Sequence, residues 1–248
     1  MVNDSNSAGI IDKERKNLTY NIFSDISNKY DLMNDIMSFG MHRFWKYKFV
    51  SMIPNFNHTI IEVAAGTGDI AFRIHNLAKK LKQKPSITLC DINDNMLDIC
   101  RNRAIDKNIL SDFNIILADG EKLPFEDNSF DYYLIVFGIR NMASVTDALN
   151  EAYRVLKPTG KFLCLEFNRV DNEDYISKIY NRYLLNVIPK MGKCIANNEA
   201  AYTYLAETIQ SFYSQEEFKT LVHNAGFSNI NYLSLTFGIA SIYYGYKL

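Results

Sequence analysis

Four cysteines in 248 residues, Cys90, Cys100, Cys164 and Cys194, stand far apart and never at a two-residue spacing. Neither a zinc site nor a disulfide framework is expected from them. No apolar stretch approaches the ~20 residues needed to cross a bilayer. The opening Val2-Asn3-Asp4-Ser5-Asn6-Ser7 has neither a signal-peptide core nor a transit peptide's arginines. The formal net charge is only -1, so nothing in the charge calls for a nucleic acid partner. These absences predict a reduced, cytoplasmic chain without a metal. What is abundant is core material, 48% hydrophobic residues, enough for a single α/β domain.

The run Ile60-Ile61-Glu62-Val63-Ala64-Ala65-Gly66-Thr67-Gly68-Asp69-Ile70 carries the most information. A short apolar strand passes an acid and two close glycines into a helix. Such a turn lets the backbone approach a ligand and aims unpaired helix N–H groups at it. A dinucleotide fingerprint would want a third glycine where Ala71 stands. That leaves a nicotinamide cofactor as the alternative, while the run fits better with the S-adenosylmethionine-dependent methyltransferases.

The rest of the chain alternates strand and helix. Residues 1–20 read as a loose polar arm, and the domain proper as 21–248, with a helical lid over 21–50 that includes a helix from Ile22 to Met37. Strands are expected at Ile60 to Ala64, Ser86 to Asp91, Asn114 to Ala118, Tyr132 to Phe137 and Lys161 to Phe167, the last launched by the turn Lys157-Pro158-Thr159-Gly160. Helices are expected from Gly68 to Leu81, Asp94 to Ile105 and Val145 to Leu156. Residues 170–212 read as a helical insertion; a helix Gln215 to Ala225 and a hairpin of Asn229 to Leu235 with Ile239 to Lys247 end the chain. The expected fold is a doubly wound, Rossmann-like methyltransferase sheet, mainly parallel, with an antiparallel last strand.

Successive strand ends supply a cofactor constellation. Asp91 ends the second strand, where a carboxylate can accept from two vicinal ribose hydroxyls. Asp119 follows the third strand and could hold an adenine amino group. The fourth strand ends in Val136-Phe137-Gly138-Ile139-Arg140-Asn141, beneath the position of a transferable methyl. Arg140 is a permanent cation able to stabilise a phenolate or order a water, and Asn141 could orient the same hydroxyl. The alternative is that Arg140 pairs with a carboxylate.

Several ordered blocks now resemble the ubiquinone/menaquinone biosynthesis C-methyltransferase family. They are Tyr30-Asp31-Leu32-Met33-Asn34-Asp35, Met37 to Lys46, Val63 to Asp69, Asp91-Ile92-Asn93, Phe137 to Asn141, Arg154 to Pro158, Leu165-Glu166-Phe167 and Tyr202 to Glu207. The resemblance implies methyl transfer from S-adenosyl-L-methionine to a ring carbon of a polyprenyl quinol. It implies cofactor contacts by Thr67, Asp91, Asp119 and Gly120, and by the backbone of Val136, beside Glu62, Gly66 and Gly68 of the turn. Glu62 stands where the family has Asp; Phe237 and Tyr243 also depart from its pattern, and there they are expected to reshape the wall near the substrate.

Arg140 and Asn141 are therefore the candidate catalytic residues, and Tyr30, Asn34 and His42 the candidate quinol contacts under the lid. A stripe of Ile176, Ile179, Tyr180, Tyr183, Leu184, Val187 and Ile188, flanked by Lys178, Arg182, Lys190 and Lys193, suits either peripheral membrane contact or a core-facing helix. A homo-oligomer, a quinone-synthesis complex that the chain might serve as a non-catalytic scaffold, and the matrix face of the mitochondrial inner membrane stay open as alternatives.

Overall fold

Near-continuous apolar runs in the inner strands feed both faces of a central sheet. The computed structural model describes residues 16–22, 24, 34–35, 38–170, 175–196 and 199–248. Its strands are β1 (Thr59–Val63), β2 (Ser86–Asp91), β3 (Phe113–Leu117), β4 (Phe130–Val136), β5 (Leu156–Phe167), β6 (Ser228–Leu235) and β7 (Ala240–Tyr246). They form one 7-stranded sheet in the order β3-β2-β1-β4-β5-β7-β6. Neighbours are parallel from β3 to β5, and β7 runs antiparallel between β5 and β6. This is the expected mainly parallel sheet with its antiparallel last strand.

The helices are α1 (Met41–Val50), α2 (Asp69–Lys80), α3 (Asp94–Asp106), α4 (Val145–Val155), α5 (Tyr175–Asn186), α6 (Ile188–Ala196), α7 (Glu199–Gln210) and α8 (Gln215–Asn224). Tyr132, Leu134 and Val136 of β4 enter one core, with Phe49 of α1, Ile74 of α2 and Leu205 of α7. Tyr133 and Ile135, pointing the other way, enter a second core with Leu149 of α4 and Phe218 of α8. Caps define several helix starts: Asn93 accepts from the Met96 N–H, and Ser214 with Glu217 forms a capping box.

Four expectations need correction. The helix expected from Gly68 starts at Asp69, because Gly68 takes a left-handed φ of 80° that a helix cannot contain. β5 starts at Leu156 and not Lys161: Leu156 pairs with Phe130 and the ladder resumes with Tyr132 opposite Lys161, so the expected turn is an irregularity inside the strand. The polar arm is helical at 16–20, where it is described. The stripe in the insertion divides: Tyr180, Leu184 and Ile188 are buried in the core, whereas Ile179 and Val187 are exposed. A turn at Val187, with Pro189 in the first turn of α6, separates the two helices. Tyr30 and most of the helix expected from Ile22 to Met37 lie outside the described residues.

Candidate active site

β1 delivers the chain into a tight turn at the carboxyl edge of the sheet. Ala64, Gly66 and Gly68 all have positive φ, and the Gly68 N–H closes the turn on the Ala65 carbonyl at 2.9 Å. The turn after β4 passes just as close, since a Cβ on Gly138 would sit 2.5 Å from that of Ala64. Backbone therefore forms the floor, with little side chain in the way.

Asp91 is fixed by two backbone donors, the Gly66 N–H at 2.7 Å to one oxygen and the Asn93 N–H at 2.9 Å to the other. Burial pushes its carboxyl upward while these donors pull it back. Each oxygen keeps a lone pair for a hydroxyl. Asp119 accepts the Glu121 N–H at 3.0 Å, and its other oxygen takes the Lys16 ammonium at 2.6 Å. Lys16 also reaches Glu121 at 2.8 Å, so the helical segment at 16–22 closes this end of the site. Asn93 ties the same segment down through the Tyr20 carbonyl at 3.0 Å and the Ser24 hydroxyl at 2.9 Å.

Between these carboxylates lie two adjoining cavities. One, of about 540 Å³, is lined by Gly66, Asp91, Asn93, Met96, Phe137 and Asn141 among others. The second, of about 390 Å³, is lined by Asp119, Gly120 and Glu121 and shares Ala64, Asp91, Ile92, Asn141 and Met142 with the first. Carboxylates at separated positions, an apolar middle of Ile92, Met96 and Met142, and a backbone floor fit S-adenosylmethionine: diol, amine and thioether-like carbon each meet matching chemistry. Among the described residues no group of His, Cys, Asp and Glu could hold a metal ion.

Glu62 stands one layer deeper. It is 3% exposed and accepts the Ala71 N–H at 3.0 Å in the first turn of α2. Burial, helped by Asp69, pushes its carboxyl up to about 8; Asp69 itself is held by Lys46 at 2.9 Å and Arg73 at 3.1 Å. The folded chain thus keeps a proton on Glu62 that the unfolded chain releases near 4.5. The native state binds more protons throughout this window, so stability falls as pH rises across it, by about 1.4 kcal/mol per pH unit. Glu62→Gln should remove that slope in cofactor-free protein. Urea unfolding at several pH values checks this, and a slope that the variant retains assigns the titration elsewhere.

Other expected residues sit differently. The Thr67 hydroxyl is engaged by Arg103 at 2.9 Å, with the Thr67 carbonyl 3.2 Å from the same nitrogen, so its side chain braces the turn against α3. Val136 ends β4 in the core. Arg140 is 3% exposed and donates to Glu166 at 2.6 Å and to the Phe137 carbonyl at 2.9 Å, with its guanidinium over the Phe167 ring at 5.5 Å. Carboxylate pairing, held open from the sequence, is what Arg140 does. Asn141 alone of the two reaches the cavities; its Oδ1 has no partner among the described residues, and its Nδ2 donates weakly, at 3.5 Å, to the Phe137 carbonyl.

Asn34 and His42 are buried near one another in a polar cluster. The Asn34 carbonyl accepts from Ser38 at 2.7 Å, and the Ser38 hydroxyl accepts the His42 N–H at 3.1 Å. His42 Nε2 lies 2.8 Å from Asp35, which also binds Arg43 through both oxygens. Burial pushes the His42 imidazole below its ordinary value against the pull of Asp35. Neither residue lines the two cavities. Tyr243 is fully buried against Phe218 and Tyr232, and Phe237 is exposed; neither lines the two cavities. Sequence reasoning missed Thr19, Tyr20 and Met142 as lining residues, and nothing local marks residues 16–22 as a cover.

The ubiE/COQ5 methyltransferase family matches residues 11–247 of this chain. A Rickettsia bellii (strain OSU 85-389) protein named ubiquinone/menaquinone biosynthesis C-methyltransferase UbiE is 50% identical over 235 residues, 95% of this chain and 94% of the relative. The Rickettsia prowazekii protein of that name is 48% identical over 231 residues, 93% of each chain. Among solved structures, a Thermotoga maritima S-adenosylmethionine-dependent methyltransferase superposes with a TM-score of 0.62 at 22% identity, covering 93% of this chain and 100% of that one. That likeness concerns the fold.

Proposed function

Because the chain belongs to the ubiE/COQ5 methyltransferase family and is an S-adenosylmethionine-dependent C-methyltransferase, we propose that it methylates a ring carbon of a polyprenyl benzoquinol, a demethylmenaquinol or both. The observation that carries this reading is the convergence of Asp91, Asp119 and Asn141 on two adjoining cavities at one sheet edge. Family membership sets aside the nicotinamide alternative.

The bound cofactor supplies a sulfonium methyl that is already electrophilic. Asp91 would hold the ribose diol of the bound cofactor and Asp119 its adenine edge, and the Gly66–Gly68 turn would leave room for its amino acid end near the start of α2. A quinol carbon becomes nucleophilic as the adjacent hydroxyl gives its proton to water; the carbon takes the methyl as the donor's C–S bond breaks, and the ring proton it carried then passes to water, restoring the aromatic quinol. Asn141 is the group that meets this hydroxyl: its unpartnered Oδ1 accepts from the quinol, and its loosely held Nδ2 donates to the phenolate. Arg140 acts through Asn141. Its charge is matched by Glu166, so it fixes the 137–141 turn more than it presents a free cation. Alignment and exclusion of water do the remainder. Asn34 and His42 are the candidate quinol contacts on the described side of the lid, and Tyr30, the third, lies outside the described residues.

A prenyl tail places the reaction at a membrane surface. No described helix is long and apolar enough to cross one. The relatives come from Rickettsia, which favours the cytoplasmic face of a bacterial inner membrane over the mitochondrial alternative. Turnover with matched benzoquinol and naphthoquinol substrates, kept reduced, tests the acceptor. Methylated quinol from either supports it, and no product from both, in protein that binds the cofactor, refutes it.

A further inference from the structure

α1 buries His42, Trp45, Lys46, Phe49 and Val50 and leaves its other side bare. On that bare side stand Phe44, 57% exposed, and Tyr47, 61% exposed, with Lys48 one turn beyond Phe44. The helix has no acidic residue. Aromatic side chains with a cation and no carboxylate are an unusual dress for a face meant for water alone.

The β6–β7 connection packs against α1 at Trp45 and adds a second exposed aromatic next to the helix. Phe237 is 77% exposed at its tip, and Thr236 and Phe237 both hold left-handed backbone, with φ of 46° and 56°. Consecutive non-glycine residues in that region persist only where surroundings impose them. Here they do. The Trp45 Nε1–H donates to the Thr236 hydroxyl at 2.9 Å, and Asn168 Nδ2 donates to the Gly238 carbonyl at 2.8 Å and to Ser241 at 2.9 Å. Tyr243, whose hydroxyl donates to Asn168, locks that asparagine from the buried side. A rigid, strained tip thus presents a phenylalanine to solvent. Phe39, just before α1, is 75% exposed and stacks at 4.8 Å on Tyr183 of α5, the helix that carries Lys178 and Arg182.

We propose that the outward face of α1, with Phe237 and Phe39, is a docking surface for an anionic phospholipid bilayer. Aromatic residues suit the depth of lipid headgroups, and Lys48, Lys178 and Arg182 complement their charge. The position is informative. Ala240 pairs with Phe167 at the carboxyl end of β5, so the tip lies at the sheet edge that holds the cavities. Trp45 spans the two, contacting Phe137 of the cavity wall at 6.3 Å between ring centroids while it holds Thr236. A lipid-borne quinol would thereby meet the site beside the bilayer, and in this respect the choice of occupant rests on the quinol reading.

Flotation of the full chain with vesicles of phosphatidylglycerol and phosphatidylcholine tests it, with phosphatidylcholine alone for comparison. The wild type should float with the anionic vesicles and weakly with the neutral ones. Phe237→Ser and the double variant Phe44→Ser with Tyr47→Ser should each lower partitioning by about tenfold or more, and Lys48→Glu should abolish the preference for anionic lipid. All keep turnover on a tail-free, water-soluble quinol. Failure of the wild type to float, variants that float equally, or a face that instead mediates self-association in sedimentation would each overturn the proposal. Absent turnover on the tail-free quinol in the wild type would point to failure of the quinol reading, independently of flotation.

Discussion

Asp91→Asn is expected to lower S-adenosylmethionine affinity by about a hundredfold or more. The carboxylate is clamped by the Gly66 N–H on one oxygen and the Asn93 N–H on the other. An amide can satisfy only one of them. Its NH₂ must face the second donor, so the substitution both removes the charge that strengthens bonds to the ribose hydroxyls and disturbs the turn that carries Gly66. Charge-assisted hydrogen bonds contribute about 1.5–3 kcal/mol each, and two are at stake. Calorimetry gives the affinity, and the cofactor's elevation of the melting temperature should disappear with it. Asp94→Asn, a few residues on but solvent-facing and paired with Arg101, should leave both unchanged. Equal cofactor affinity in Asp91→Asn and wild type would remove Asp91 from the site.

Arg140→Met should destabilise the fold by about 3–5 kcal/mol, because it strands a buried carboxylate. Glu166 is fully buried; burial already raises its carboxyl, with Arg140 pulling the other way. Without the guanidinium it rises further and takes up a proton in the folded state only. Stability of the variant should therefore fall as pH rises above the ordinary glutamate value of 4.5. Adding Glu166→Gln removes the stranded charge and should restore most of the stability and remove the added pH dependence, leaving the slope set by Glu62. Turnover should stay at least about tenfold low in this double variant, because the turn that aims Asn141 has lost its anchor. Full turnover in the stable double variant would make the ion pair purely structural.

The legible parts of the site were those that lie close together in sequence. β1, its glycine turn and α2 form one continuous run, and Asp91 and Asp119 announce themselves by ending strands at the same edge. Arg140 illustrates the opposite. Its partner Glu166 ends another strand, and only the parallel pairing of β4 with β5 brings the two together, so the ion pair could be entertained but not chosen. The family resemblance implies Thr67 as a cofactor contact, and what only the fold shows is that Arg103 of α3 binds its hydroxyl. The cover at 16–24 carries no local signal: its contacts to Asn93, Asp119 and Glu121 are tertiary. Tyr243 looked like a substrate wall from its departure alone, and it is a buried brace behind Asn168.

Incubation of the chain with S-adenosylmethionine labelled in its methyl group and a reduced, prenylated quinol tests the central claim most directly, with the labelled position read by carbon NMR. Methylation of an unsubstituted ring carbon, lost in Asp91→Asn, is the result expected. A labelled oxygen, or no transfer to any quinol from protein that binds the cofactor, would contradict it.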